Sequence, residues 1–332
     1  MRIGIIGTRW GLMHVGGFRG AGAEVVALCG QDPERTRAIA AREGVPLATS
    51  DPATLCAACD VVVVASPDAL HAAHVACALT AGRPVLCEKP LTRTAAEAEQ
   101  LLALSAASGL RCAVSFPYRM LPPLVALRRC LLERSPVRQL AVTLRSGFIP
   151  MTGEDASVPR LGDSGDFGGA SHVIDAAIWL MRDVPVRVQA MFSGRPVHSA
   201  VIHVEFSTGG LLSLAHLAAL EPGLWGTWSL IGAGWEASFA GGYRPEQKGW
   251  CVGPARLFEQ GRWQEFAPEL RPQPGLPEPW AAAHLATARA FLQTLAGTEQ
   301  NNLASCEAGV WTQRVLDAAL RSEREHRCVA LP

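Results

Sequence analysis

The stretch Arg2-Ile-Gly4-Ile-Ile-Gly7-Thr8-Arg9-Trp10-Gly11 opens the chain as an apolar run that ends in a glycine turn. A strand, a glycine turn and then a helix let a pyrophosphate approach the backbone at the helix N-terminus. Gly7 fits the first glycine of the pattern G-x-G-x-x-G, and Arg9 stands where the second would be. The turn therefore predicts a dinucleotide site that departs from the full fingerprint. Gly7, Thr8, Arg9 and Trp10 are its candidate residues, and Arg9 either swings aside or lends its charge to a phosphate.

The same grammar continues outward. Residues 24–29, 60–65, 84–87 and 111–114 are further apolar runs, of which Asp60-Val-Val-Val-Val-Ala65 is the clearest. Continuous Val/Ile/Leu runs suit strands buried on both faces of a parallel sheet. Helical patterns lie between them. Asp32-Pro33 opens one, with Asp as N-cap and Pro in the first turn, and Gly44 ends it. Residues 69–81 form another, closed by Gly82, and 94–108 a third, with Thr94 and Glu97 spaced as a capping box and Gly109 as its stop. The alternation predicts a doubly wound α/β domain.

A dinucleotide fold commonly places an acid at the end of its second strand, against the ribose hydroxyls. Here that strand ends Leu28-Cys29-Gly30-Gln31-Asp32, with Gly30 where the acid is expected and Asp32 better placed as the helix cap. Gly30 and Gln31 join the candidate cofactor residues. Without the carboxylate a 2′-phosphate meets no repulsion, and Arg35 and Arg37 follow closely. The expectation is NADP or NAD as cofactor, with NADP preferred.

The second half reads differently. Residues 137–146, 186–192, 199–206, 210–218, 227–231 and 235–239 are strand-like, with one helical pattern at 170–181. They follow one another closely, which predicts a mostly antiparallel sheet. A proline-rich connector at 270–279 leads to two long helical patterns, 280–296 and 304–323.

The composition supports a folded, two-domain chain. Of 332 residues, 49% are hydrophobic and 18% charged, enough apolar material for a full core. Thirty basic residues balance thirty acidic ones, and a nucleic-acid binder would usually show a basic excess. Only Lys89 and Lys248 among the basic residues are lysines. The N-terminal apolar run is broken by Arg9, too soon for a signal-peptide core or a membrane span. A cytoplasmic protein with no membrane partner is expected. The ten cysteines sit mostly in apolar patterns, and Cys56-Ala-Ala-Cys59 reads as two packing thiols rather than half of a metal clip. No metal site is expected.

Two further strand ends carry chemistry. Ala65-Ser66-Pro67-Asp68-Ala69-Leu70-His71 follows the third strong strand, and Cys87-Glu88-Lys89-Pro90 ends the next. Strand C-terminal ends are where α/β sheets bind ligands, and a charged pair with proline at the end of a buried strand is unusual.

With these residues in hand, the sequence resembles the glucose–fructose oxidoreductase / inositol dehydrogenase (Gfo/Idh/MocA) family of NAD(P)-dependent oxidoreductases. The resemblance rests on the glycine turn, Ser66-Pro67 with His71, Glu88-Lys89-Pro90, Ser115-Phe-Pro-Tyr118-Arg119, Gly168-Gly-Ala-Ser-His172-Val-Ile-Asp175 and the closing helices. It spans essentially the whole chain. It implies a Rossmann domain over 1–118, then an α+β substrate and oligomerisation domain over 119–332 with a large, mostly antiparallel open sheet and C-terminal helices. It implies a homodimer or homotetramer through that sheet, and a small sugar derivative, cyclitol or polyol as substrate. It adds Ser66, Pro67, His71, Glu88, Lys89 and Tyr118 to the cofactor residues, and brings Lys89 and His172 to the nicotinamide and the substrate oxygen. The family commonly carries Asp-x-Gly-x-His, whereas this chain reads Gly168-x-Ala170-x-His172, with Asp166 the nearest acid before it.

Hydride transfer to or from an alcohol needs a group that holds or releases the hydroxyl proton near working pH. Histidine titrates there with little tuning, while a solvated lysine is too basic. The expectation gives His172 the acid–base role and Lys89 the polarising role, with the reverse assignment open. Asp175, one helical turn on, shares a face with His172 and either binds a substrate hydroxyl or orients the imidazole. The alternatives are a reductase of an imine or another non-carbonyl electrophile, suggested by the missing acid at 168, and a nucleotide-binding sensor without turnover.

Overall fold

The first apolar run forms β1 (Arg2–Ile6), and α1 (Gly11–Gly20), β2 (Glu24–Cys29), α2 (Pro33–Glu43), β3 (Leu47–Thr49) and α3 (Pro52–Ala58) follow it. Next come β4 (Val61–Val64), α4 (His71–Thr80), β5 (Val85–Glu88), α5 (Ala95–Ser108) and β6 (Cys112–Ser115). The later half holds α6 (Pro122–Leu132), β7 (Gln139–Ser146), α7 (Gly168–Met181), β8 (Pro185–Ser193), β9 (Ser199–Phe206), β10 (Leu211–Ala218), β11 (Leu224–Gly232) and β12 (Trp235–Arg244). It closes with β13 (Gly249–Val252), β14 (Ala255–Glu259), β15 (Arg262–Ala267), α8 (Pro279–Leu295), β16 (Ala304–Ser305), α9 (Cys306–Glu325) and β17 (Val329–Ala330). The computed structural model describes residues 1–146, 168–193, 199–219, 223–247, 249–275 and 277–332.

The chain divides into two units, one of Met1–Met120 with Ala281–Gln313 and one of Leu121–Trp280 with Arg314–Pro332. The first carries a seven-stranded sheet in the order β16-β6-β5-β4-β1-β2-β3, parallel except for the antiparallel edge strand β16. Its strands are buried on both faces, as their apolar runs require. Ile3, Ile5, Val63 and Leu86 meet Phe18 and Phe291 on one face, and Ile6, Val62, Val64 and Cys87 meet Leu55, Leu79 and Leu101 on the other.

The caps follow the sequence signals. Asp32 Oδ1 accepts from the N–H groups of Glu34 and Arg35, each at 3.0 Å, and Gly44 closes α2 in the left-handed region at φ 63°. Thr94 and Glu97 complete a capping box at the start of α5. Strand β3 and helix α3 were not anticipated. At three and seven residues they are too short to show a period, although Asp51 caps α3 just as Asp32 caps α2.

The sequence reading assigned everything after 118 to the second domain, and here the structure differs. Ala281–Gln313 belongs to the first unit. Phe291 and Ala288 of α8 enter its core, and Ala304–Ser305 pairs with Val114 and Ala113. An amphipathic helix shows that it has an apolar face, but not which sheet that face will cover.

The second unit is built on a ten-stranded sheet in the order β15-β14-β12-β11-β7-β10-β9-β8-β17, with β13 paired to β12. It is antiparallel apart from the parallel pair β7 and β10. Along β7, Leu140, Val142 and Leu144 are buried, and Gln139, Ala141 and Thr143 face out, so one face carries the core. Strands β13 to β15 escaped the sequence reading, because their turns carry the Gly-Pro and Gln-Gly breaks that also mark loops.

Cys56 and Cys59 are buried packing thiols, and burial pushes the Cys56 thiol up to about 12. Among the described residues no helix is long and apolar enough to cross a membrane.

If α8 is part of the first core, Phe291→Ala leaves a cavity against Ile3 and Ile5. It is expected to cost about 3–5 kcal/mol in urea unfolding, and a loss below 1 kcal/mol would place Phe291 outside that core.

Candidate functional site

At the C-terminal ends of β1, β2 and β4 the first unit holds a cavity of about 650 Å³. Gly7, Thr8, Arg9, Trp10, Gly30, Gln31, Ser66 and Pro67 line it, as do Cys29, Asp32, Arg35, Ser50, Pro52, Leu70 and His74. Its floor depends on Gly7. This residue sits at φ 129°, and a Cβ there would stand 2.1 Å from the Ala65 carbonyl oxygen. The close approach is held by backbone bonds on both sides. The Gly7 N–H donates to the Cys29 carbonyl at 2.8 Å, and the Ala65 N–H to that of Ile6 at 2.7 Å. Helix α1 starts beside the turn with no side-chain cap and no acid in its first turn. Its N-terminal end therefore favours an anion.

Gly30 has a second structural reason. A Cβ at this position would lie 2.5 Å from Thr36 Oγ1 and 2.7 Å from Thr8 Cγ2. The two threonines fill the space an acidic side chain would need. Asp32 is on the wall, but its Oδ1 is engaged as the cap of α2. Arg9 and Arg35 supply the cationic groups of the lining.

The other predicted residues of this unit lie around the Lys89 turn. Glu88 ends β5 and is 5% exposed; its Oε1 lies 2.8 Å from His14 Nε2, and its Oε2 accepts from the Lys89 N–H at 3.2 Å. Burial opposes the charge on this carboxylate, but the hydrogen bond with His14 and the nearby His14, His284 and Lys89 hold it well below the usual range. Lys89 follows, half-buried. His71 does not line the cavity. It is buried below, with Nδ1 2.7 Å from the Pro90 carbonyl and Nε2 2.8 Å from the Ser66 carbonyl. The two ring nitrogens thus reach a carbonyl on each side. His71 thereby ties the Ser66 loop to the Lys89 turn. Tyr118 is buried in the short turn Pro117–Met120, and burial pushes its phenol up. Glu88, Lys89 and Tyr118 are likewise absent from the cavity lining.

In the second unit His172 and Asp175 lie on α7, 6% and 1% exposed. The helix is buried almost all round, which explains its lack of a polar face. The His172 ring meets Trp280 edge-on at 5.4 Å, and Trp280 stacks on Trp250 at 4.2 Å. Gly168 is the first residue of α7, and Asp166 lies outside the described residues. Close to Gly169, His216 on β10 lies 2.6 Å from Ser146 Oγ on β7, and burial lowers the imidazole to about 4.

Sequence reasoning missed Ser50, Pro52, His74 and His14. Ser50 and Pro52 flank the cap of a helix too short to read, and His74 lies 2.9 Å from Ser66 Oγ through Nδ1. For His14 the signal was its place one turn into α1, but only the fold brings it to Glu88.

Comparison with known proteins matches two successive segments of the chain and counts residues 281–313 with the later one. The sequence profile described as "Oxidoreductase family, NAD-binding Rossmann fold" matches residues 1–116, and that described as "Oxidoreductase family, C-terminal alpha/beta domain" matches 163–331. Inositol 2-dehydrogenase 1 of Saccharopolyspora erythraea is 41% identical over 138 residues, 40% of this chain and 41% of that protein. D-apiose dehydrogenase of Paraburkholderia graminis is 30% identical over 194 residues, 56% of this chain and 50% of its own length. These matches thus span about half of the relatives or less. A solved oxidoreductase domain protein of Kribbella flavida has the same fold, with a TM-score of 0.81 at 23% identity over 99% of this chain and 98% of its own. So has levoglucosan dehydrogenase in complex with NADH and levoglucosan, with a TM-score of 0.82 at 20% identity over 100% and 99%.

Two tests follow from this geometry. Gly7→Ala adds a methyl group against the Ala65 carbonyl at a strained φ and is expected to cost at least about 1–3 kcal/mol; an unchanged melting temperature would contradict the close approach. His216 is neutral in the fold and titrates normally when unfolded. Between pH 6.5 and 4 the unfolded chain therefore binds more protons, and stability falls as pH falls. His284, also lowered to about 4, adds to the slope. His216→Asn is expected to flatten the urea-midpoint profile across this window while leaving its upper end little changed, and an unaltered slope would show that His216 is not buried neutral.

Proposed function

The chain belongs to the Gfo/Idh/MocA oxidoreductase family, and on that premise we propose that it is an NAD(P)-dependent enzyme acting on a sugar-like or polyol hydroxyl or carbonyl. The observation that carries this reading is the cavity at the glycine turn. A dinucleotide fits it on three counts: a floor that admits no Cβ at Gly7, an uncapped helix N-terminus beside it, and arginines on its wall. The α1 end and Arg9 would hold the pyrophosphate, and the names of the relatives, inositol and D-apiose dehydrogenases, support the substrate class.

The cofactor, when bound, supplies or accepts the hydride at its nicotinamide. The protein's own residues supply the rest. In this reading Lys89 orients and polarises the substrate oxygen, and His172 takes the hydroxyl proton during oxidation and returns it during reduction. Asp175 orients His172 or binds a second substrate hydroxyl. The link from Glu88 to the Lys89 N–H, and that from His71 to Pro90, fix the backbone that carries Lys89. Ser66 and Pro67, on the cavity wall, would lie against the bound dinucleotide.

NADP is the preferred cofactor in this proposal. The absence of a carboxylate at Gly30, where Thr8 and Thr36 fill the space, supports it, as does Arg35 on the wall. The enzyme works in the cytoplasm as a homodimer or homotetramer joined through the outer sheet face of the second unit. Met191, Leu217 and Ile231 expose apolar surface on that sheet, 69%, 37% and 41% accessible.

Absorbance at the reduced nicotinamide band, read across a panel of cyclitols, aldoses and ketoses with each cofactor, tests the activity. Lys89→Ala and His172→Ala are each expected to lower kcat by about 100-fold or more, and near-native turnover in both would remove these roles. Turnover confined to imines would favour a non-carbonyl electrophile. Arg35→Ala is expected to raise the KM for NADPH by about 10-fold while sparing NADH, the loss of roughly one charge-assisted contact; equal effects on both would leave the 2′-phosphate assignment without support.

A further inference from the structure

Beneath the cavity wall the first unit brings together three side chains that the sequence keeps far apart: His14 on α1, Glu88 at the end of β5 and His284 on α8. We propose that these three residues bind one divalent transition-metal ion of the zinc class. One donor atom from each lies within 4.8 Å of the other two, and the residues are 1%, 5% and 1% exposed. Two imidazoles and a carboxylate form a donor set suited to zinc, cobalt or iron.

The spacing accommodates an ion with small movements. Zinc-class ions bond nitrogen and oxygen at about 2.0–2.2 Å, so tetrahedral ligands stand about 3.3 Å apart. His14 Nε2 and Glu88 Oε1 are 2.8 Å apart, and widening by about half an ångström makes room. The His14 and His284 rings meet edge to face, with centroids 5.2 Å apart. One nitrogen of each ring lies within 4.8 Å of the other and of a Glu88 carboxylate oxygen.

The Lys89 N–H fixes the second carboxylate oxygen, which leaves Oε1 toward the imidazoles. Such an outer contact orients a ligand and supports affinity. Trp10 covers His284 edge-on at 5.9 Å and also lines the cavity, so the site lies one side chain from the cofactor space. The bound ion would pin α1, β5 and α8 together under the turn that carries Lys89. This inference does not depend on the substrate or on turnover.

The test is cobalt and zinc binding to the full chain after dialysis against chelator. Titration with Co²⁺ is expected to give visible d–d bands that saturate at one ion per chain, and Zn²⁺ is expected to bleach them at the same stoichiometry. His284→Phe keeps the aromatic bulk and the His14–Glu88 contact, and is expected to weaken binding by about 100-fold or more while its circular dichroism and urea midpoint show a folded protein. His14→Gln, which retains a hydrogen bond to Glu88, is expected to do the same. If the wild type shows no d–d bands at millimolar Co²⁺, or binds no more tightly than folded His284→Phe, the proposal fails and the cluster is a buried His–Glu pair.

Discussion

The close approach of Gly7 to the Ala65 carbonyl is the constraint on which the rest of the first unit depends. Two strands, β1 and β4, must end side by side with no side chain between them. Hydrogen bonds from Gly7 to Cys29 and from Ala65 to Ile6 lock that geometry from both flanks. The strand ends can then open into a cavity, and α1 can start beside it with no side-chain cap. Arg9 at the second glycine position is compatible with this arrangement because the tight contact falls at Gly7.

A second layer of order surrounds Lys89. Glu88 and His71 approach the turn from different sides, the first through the Lys89 N–H and the second through the Pro90 carbonyl. His71 also holds the Ser66 carbonyl, so one buried ring couples two strand ends. Ionised Glu88 is tolerated in the core because its two oxygens are hydrogen-bonded, one with His14 and one from the Lys89 N–H. Together Glu88 and His71 fix the backbone from which the long, flexible Lys89 side chain begins. The second unit follows another rule. Its single core-bearing sheet face takes α7 almost wholly inside, and His172 and Asp175 are buried with it.

Much of this was legible in the residues. The parallel sheet could be read because its strands are continuous apolar runs, and α2 and α5 because Asp32-Pro33 and Thr94-x-x-Glu97 encode their starts locally. Eight candidate cofactor residues, Gly7 to Trp10, Gly30, Gln31, Ser66 and Pro67, do line one cavity. What stayed hidden was long-range or short. The return of α8 and β16 to the first sheet has no local signature, since the face of Phe291 would suit any core. Strand β3 is three residues long. His71 looked like a wall residue because it follows Ser66-Pro67, and only the fold reveals two carbonyls on its ring. The cluster of His14, Glu88 and His284 joins both ends of the chain, and no spacing rule reaches that far.

The account stands on a dinucleotide resting at the Gly7 turn. Its most direct test is thermal unfolding of the purified protein with NADPH and with NADH, against the cofactor-free protein. Ligand at 100 times its dissociation constant stabilises by about 2.7 kcal/mol, a readily measured shift. The account predicts a raised melting temperature with both reduced cofactors and the larger rise with NADPH. No shift with either, or with the oxidised forms, would contradict it.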